Sequence, residues 1–171
     1  MNKQKAFTLI ELAIVLLVLG TLAGLMLRNV GMYTVQARDA KRKGDLRNLS
    51  VNLVQYNSSF GQYPAPAAIV SELQKIGVAN LPSAPRTIES YDYVACMSTG
   101  VTFYNHFILR TRLEQTSSTN PNLYSDSYNS SSLPPGWVNC SAVSFNGNNT
   151  TTFTGTIIDC SANNNYYCVA Q

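Results

Sequence analysis

The chain contains 171 residues, of which 45% are hydrophobic and 12% are charged, and its formal net charge is +3. This length gives room for one ordinary domain with an appendage. The basic residues form no stripe interleaved with aromatic residues, which argues against nucleic-acid binding. Apolar residues are concentrated at residues 7–27, whereas Asn, Ser, Thr and Tyr dominate residues 115–165.

The N-terminal segment predicts a membrane-spanning helix whose N-terminus is cytoplasmic. Residues 1–6 are polar and include Lys3 and Lys5. An apolar run of about 20 residues follows, which is the length that a helix needs to cross the hydrocarbon core. Lysines before such a run keep that end in the cytoplasm. A cleaved secretory signal is the alternative, but the run is longer than a usual signal core and no small-x-small cleavage site follows it.

Glu11 interrupts this apolar run. A carboxylate inside a spanning helix costs about 2.5–3.5 kcal/mol on insertion scales, so its presence calls for a partner. If the chain is cut between Ala6 and Phe7, the new ammonium of Phe7 lies four residues from Glu11, within reach on the same helix or a neighbour's. Because an unpaired charge is costly in a packed apolar bundle, we interpret Glu11 as a residue that fixes the axial register between helices.

The segment KAFTLIEL at residues 5–12 resembles the class III signal of type IV pilins and type II secretion pseudopilins. The resemblance implies that a prepilin peptidase removes residues 1–6 as a leader, that Phe7 becomes the N-methylated first residue, and that Glu11 is the assembly glutamate. The family usually has Gly before the cut, where this chain has Ala6. Because Ala is nearest to Gly in size, we expect cleavage to survive at a lower rate.

The same resemblance implies a structural filament subunit and not an enzyme. We expect a homo-oligomeric helical filament, built by a pilus assembly platform with its ATPase machinery from a single-pass precursor in the inner membrane. The extracellular pilus would serve adhesion, twitching motility or DNA uptake. Two alternatives stay open. One is a pseudopilin of a type II secretion system, which the Gly-x-Tyr-Pro sequence at residues 61–64 favours; the other is a single-pass membrane-anchored ligand-binding protein.

The apolar run predicts a transmembrane or filament-core helix over residues 7–30, continued by an amphipathic helix over residues 31–60. Gly20-x-x-x-Gly24 is a candidate helix-packing face or a candidate melting point of the first half. In the second half, apolar residues recur at intervals of three and four and form one stripe. The members of this stripe are Leu46, Leu49, Leu53, Tyr56 and Phe60.

A charged cluster lies at residues 38–47 of the second half. Asp39 with Lys43, and Lys41 with Asp45, are each four residues apart, which predicts exposed pairs on a solvated helical face. The helix is expected to end at Gly61, since Pro64 cannot continue it.

Residues 61–171 are predicted to form a globular head, in which a small antiparallel sheet packs on the apolar stripe; the fold class is therefore α+β. Spacing and alternation predict a short helix over residues 67–77, a linker at 81–85, and strands over 91–96 and 102–113, with a third strand near 152–158. The remaining Asn/Ser/Thr-rich segments are interpreted as surface loops.

The cysteines predict two disulfides in an oxidising compartment, because their number is even and they follow a membrane-insertion signal. Of the three possible pairings we favour a short local bridge between the last two, with the first two forming the second bridge. The four are Cys96, Cys140, Cys160 and Cys168.

No catalytic residue, metal site or cofactor is predicted. His106 is the single histidine and lies in a predicted strand, where a structural role is expected. Asp126 and Asp159 have asparagines nearby, but their spacing matches no calcium-binding loop.

The first prediction concerns processing. Mass analysis of the N-terminus of protein purified from its native membrane should show Phe7 as the first residue, carrying one added methyl group. An uncut chain as the sole species, or a different first residue, would contradict the interpretation of residues 1–6 as a leader.

Overall fold

The computed structural model describes residues 7–27, 30–116, 121–130, 132–153, 159–160 and 165–171. The chain divides into two compact units, Met1–Gln36 and Ala37–Gln171. Two long helices come first, α1 (Leu9–Leu27) and α2 (Val30–Phe60). The leader at residues 1–6 and the junction at residues 28–29 lie outside the described residues, so the continuity of one helix across that junction stays a prediction.

α2 ends where the sequence predicts. Gly61 has a φ of 72°, a left-handed conformation that glycine adopts readily, and its N–H donates to the carbonyl oxygen of Asn57 at 2.7 Å. Tyr63 then enters the core, where its ring meets that of Phe107 edge to face with centroids 4.8 Å apart. The Gly-x-Tyr-Pro segment therefore both stops the helix and anchors the chain that leaves it.

The head contains a short helix and a five-stranded antiparallel sheet. A 3-10 turn (Pro66–Ala68) leads into α3 (Ile69–Gln74), and a second 3-10 turn (Pro121–Tyr124) precedes the third strand. The strands are β1 (Tyr91–Ser98), β2 (His106–Arg112), β3 (Trp137–Asn146), β4 (Asn149–Thr152) and β5 (Tyr166–Ala170). Their spatial order is β4-β3-β1-β2-β5, and every neighbouring pair is antiparallel.

The α+β fold class is confirmed, but the strand assignment needs two corrections. The Asn/Ser/Thr-rich region was interpreted as surface loops, which is wrong for β3, because that strand pairs with β1 along its length. β5 was also not predicted. The strand expected near residues 152–158 overlaps β4 only at Thr152, and residues 154–158 lie outside the described residues.

The sheet carries a packed layer on each face. One face of β1 and β2, including Tyr93 and Leu109, packs against the predicted stripe of α2. In that stripe Leu46, Leu49, Leu53 and Tyr56 are buried, whereas Phe60 stays exposed and stacks on Tyr56. The opposite face, including Val94 and Ile108, is covered by C-terminal segments. β1 is therefore buried on both faces over residues 91–96.

Both disulfides lie on the face of the sheet that includes Val94 and Ile108. Cys96 is bonded to Cys140, which links the neighbouring strands β1 and β3, and Cys160 is bonded to Cys168 of β5. This is the pairing that the sequence analysis favoured. Bridges of this kind typically stabilise a fold by about 2–4 kcal/mol each.

The two edges of the sheet differ. β5 is covered in part along its outer side, because the Tyr128 N–H donates to the Cys168 carbonyl at 2.9 Å and the Cys168 N–H donates to Ser127 Oγ at 2.9 Å. β4 forms the other edge with only four residues, Asn149–Thr152.

Arg42 of α2 is fully buried and bonded to three carboxylates. Its guanidinium donates to Asp39, to Glu89, and to Glu114 at 2.7 Å. Asp39 is also buried, and it accepts the backbone N–H groups of Glu114 at 2.9 Å and Gln115 at 3.0 Å. Arg38 adds two hydrogen bonds to Glu114, at 2.6 and 2.7 Å. This ion cluster joins α2 to the segments before β1 and after β2.

The prediction of exposed pairs on a solvated face is therefore wrong. Asp39 bonds to Arg42, three residues on, and not to Lys43. It also accepts a backbone N–H from Glu114, in the segment that follows β2. Asp45 accepts a hydrogen bond from the Tyr91 hydroxyl at 2.6 Å. Lys41 donates to the Ser83 carbonyl at 3.1 Å, and Lys43 lies 3.2 Å from Asp126.

Removal of the Arg42 charge should destabilise the head strongly. Arg42→Met keeps much of the side-chain volume but leaves Asp39 buried without its cation, which should lower the free energy of unfolding by about 3–5 kcal/mol. The exposed Arg47, which pairs with Asp126, is the matched control; Arg47→Met should cost less than about 1 kcal/mol. Urea unfolding of the full chain in detergent, followed by near-UV circular dichroism, measures both, and similar costs would contradict the prediction.

Acid should weaken the same cluster through Glu114. Hydrogen bonds from Arg38, and secondarily from Arg42, lower the pKa of Glu114 from 4.5 to about 2. A carboxylate whose pKa is lower in the folded chain stabilises the fold above its unfolded pKa, and that contribution is lost as pH falls through the folded pKa. We expect a loss of about 2 kcal/mol between pH about 5 and about 2, after allowance for partial exposure.

The measurement compares the wild type with Glu114→Gln by urea unfolding across that pH range. The wild type should be more stable at neutral pH, and the difference should narrow between pH about 4.5 and about 2, because Glu114 binds a proton in the unfolded chain over that range while it stays ionised in the folded chain until pH is near 2. A difference that stays constant across the range would show that the Glu114 charge is not what stabilises the fold.

Candidate functional site

The N-terminal helix is exposed along its length. α1 contains 19 residues, and its window Leu9–Met26 has a mean hydropathy of 2.5 with none of it buried. Phe7, just before the helix, is 81% exposed. Length and composition allow such a helix to cross a membrane, and its uncovered apolar surface equally allows it to pack with other helices.

Thr8 and Glu11 close the N-terminal end of α1. Glu11 Oε2 accepts hydrogen bonds from the backbone N–H of Thr8 at 2.8 Å and from its hydroxyl at 2.7 Å. In return, the backbone N–H of Glu11 donates to Thr8 Oγ1 at 3.3 Å. This reciprocal arrangement is a capping box, which satisfies backbone N–H groups that the first helical turn leaves free.

The capping box gives Glu11 a partner that the sequence analysis missed. The signal was present, because Thr-x-x-Glu before an apolar run is the sequence signature of this motif. Only one carboxylate oxygen takes part; within the described residues, Glu11 Oε1 accepts no hydrogen bond. The box therefore orients the carboxylate and leaves one oxygen for a cation from elsewhere.

The structure does not bring the other predicted N-terminal site residues together. Ala6 lies outside the described residues, so the proposed cut before Phe7 stays a prediction. Gly20 and Gly24 are helical, and a Cβ added at either would meet nothing within 4 Å. Nothing described in this chain uses their small size, and their roles in packing or melting also stay predictions.

In the head, His106 is engaged in local contacts. Its Nε2 lies 2.8 Å from Ser98 Oγ, and its ring stacks on Trp137 with centroids 4.3 Å apart. Asp126 bonds to Lys43, Arg47 and the Tyr167 hydroxyl. Across the part of the chain that the structure describes, no group of three or more His, Cys, Asp or Glu side chains is placed to hold a metal ion.

The comparison with protein families identifies the N-terminal segment. Residues 1–27 match the family model described as the Prokaryotic N-terminal methylation motif, which is typical of type IV pilins and pseudopilins. The chain is prepilin-like. No curated protein and no solved structure shows a significant match to it.

The match covers the prepilin signal and α1, and the remaining residues are characterised by their fold. The long apolar helix, the five-stranded antiparallel sheet and the two disulfides together form a pilin-like α+β architecture. A prepilin signal implies processing by a prepilin peptidase and handling by an assembly machinery.

Proposed function

We propose that this chain is the structural subunit of a type IV pilus, cut before Phe7, methylated there and polymerised through α1. The observation that carries the proposal is an uncovered apolar helix, closed by Thr8 and Glu11, within residues that match the methylation motif. Burial of a large apolar side chain is worth about 1.5–3 kcal/mol. Such a helix therefore requires cover, first from the lipid of the inner membrane and then from α1 of neighbouring subunits.

Glu11 would set the register of these helices. It is the only charged residue in the sequence from 9 to 27. Thr8 donates hydrogen bonds to Oε2 of Glu11. The other oxygen, Oε1, can accept a hydrogen bond from the ammonium that cleavage creates at Phe7 of a neighbouring subunit. An unpaired charge in an apolar bundle is strongly unfavourable, so only the axial offset that joins these two groups would be stable.

The head would form the outer surface of the filament. Two disulfides support export into an oxidising compartment, in agreement with the lysines that keep residues 1–6 cytoplasmic. The assembly platform and its ATPase would move the subunit from the membrane into the extracellular pilus. Adhesion, twitching motility and DNA uptake are the roles that we propose for such a fibre.

A pseudopilin of a type II secretion system is the second candidate. It is favoured by the Gly-x-Tyr-Pro segment, which resembles that of the major pseudopilin and here terminates α2 and buries Tyr63. This candidate shares the cleavage and the register role of Glu11. It differs in the product, which would be a short periplasmic filament in place of a long surface fibre.

Variants of the capping box separate the charge of Glu11 from its role in the helix. Glu11→Gln should still cap α1, because glutamine also serves at this position, but its neutral amide cannot form an ion pair with an ammonium. We expect this variant to be cut before Phe7 and to form no fibres. Thr8→Ser keeps the box and the charge, and should assemble normally. Negative-stain microscopy of sheared surface material, with mass analysis of the membrane fraction, measures both steps.

Each outcome has a distinct meaning. Normal fibres from Glu11→Gln would show that the residue acts only by capping and would refute the register mechanism. Fibres that contain the wild-type chain favour a pilus over a pseudopilus. An anchored ligand-binding protein would instead remain uncut in every variant and would tolerate Glu11→Leu.

A further inference from the structure

A groove of about 630 Å³ lies at one end of the sheet. It is bounded by the turn before β1, the start of β1, the end of β2 and the start of β5. Its volume falls within the usual range for ligand sites, about 300–1,000 Å³. The groove belongs entirely to the unit Ala37–Gln171 and has no part in the N-terminal site.

The carboxylates on the groove wall are already engaged by arginines that are not part of the groove lining. Glu89 bonds to Arg42, and Glu114 bonds to Arg38 and Arg42. Asp92 accepts hydrogen bonds from Arg110 at 2.8 Å and from the Ser144 hydroxyl at 2.6 Å. Each of these carboxylates therefore has an arginine partner outside the groove lining.

The two arginines that line the groove are less fully engaged than those that hold its carboxylates. Arg112 is exposed and forms no ion pair or side-chain hydrogen bond within the described residues. Arg86 is half exposed, and its closest carboxylate oxygen, on Glu89, is 4.0 Å away, too far for a hydrogen bond. The ten N–H donors of two guanidinium groups therefore face the groove or solvent.

We propose that this groove binds an acidic peptide segment of another protein through Arg86 and Arg112. Guanidinium groups hold carboxylates with paired, charge-assisted hydrogen bonds. Ile88, 81% exposed beside the two arginines, offers an apolar contact for a neighbouring side chain of the peptide. Ser90 and Asn165 add polar groups that can bond to its backbone.

Carboxylates fit this groove better than phosphates. A phosphate group carries more negative charge than a carboxylate and would be repelled more strongly by Glu89, Asp92 and Glu114 on the same wall. A peptide with spaced single charges can meet the two arginines while keeping its remaining atoms near Ile88. The proposal goes beyond filament assembly, because it requires neither cleavage nor α1.

The test measures binding of an acetylated, amidated tetraglutamate peptide to the full chain in non-ionic detergent, by calorimetry at low ionic strength. Arg86→Gln and Arg112→Gln should each weaken binding about tenfold, the usual effect of losing one charged hydrogen-bonded contact. The double variant should lose measurable binding. The control variant, Arg47→Gln with Lys75→Gln, removes an equal number of positive charges at positions outside the groove. It should bind the peptide like the wild type.

Binding by the wild type should weaken as salt is raised, because exposed charges are screened. Unchanged near-UV circular dichroism of the double variant establishes that its head is folded. Absence of peptide binding by the wild type, or equal losses in the control variant, would overturn the proposal. Tighter binding of inorganic pyrophosphate than of tetraglutamate would overturn the choice of a carboxylate ligand.

Discussion

An arginine side chain is not deprotonated inside a protein, so the buried guanidinium of Arg42 requires carboxylates around it. Asp39 does so from the preceding turn of α2, Glu89 from the segment before β1, and Glu114 from the segment after β2. The segment that enters β1 and the segment that leaves β2 are thereby both bonded to one helix. The proposed peptide groove is related to the same constraint, since two of the carboxylates that line it are bonded to Arg42.

The parts of the fold that depend on local pattern could be predicted from the sequence. The stripe from Leu46 to Tyr56 is buried as its spacing indicates, and Gly61 ends α2 in the conformation that favours glycine. β1 and β2 carry alternating or continuous apolar residues and were recognised. The prepilin signal was also recognised, because a basic leader, a Phe, a Glu and a long apolar run combine within 27 residues.

The parts that depend on distant partners could not be predicted. Asp39 has a lysine at the right spacing, but its true partners include backbone groups 75 and 76 residues away. β3 contributes only Val143 and Phe145 to the main core, and the polar residues in the rest of the strand hide the alternation that would have indicated it. The Thr8–Glu11 box is different in kind. Its pattern is local, since Thr8 and Glu11 are three residues apart at the start of an apolar run, so the sequence alone could have predicted it.

The unequal edges of the sheet have a consequence for the filament proposed above, in which the heads would be held at very high local concentration. An open edge invites strands from adjacent molecules, and copies held side by side would be prone to fuse into a continuous cross-β ribbon. Ser127 and Tyr128 bond to the backbone N–H and carbonyl of Cys168 on the β5 border. A strand of an adjacent copy would have to displace these hydrogen bonds before it could pair with β5 there, which disfavours lateral β-aggregation at that border.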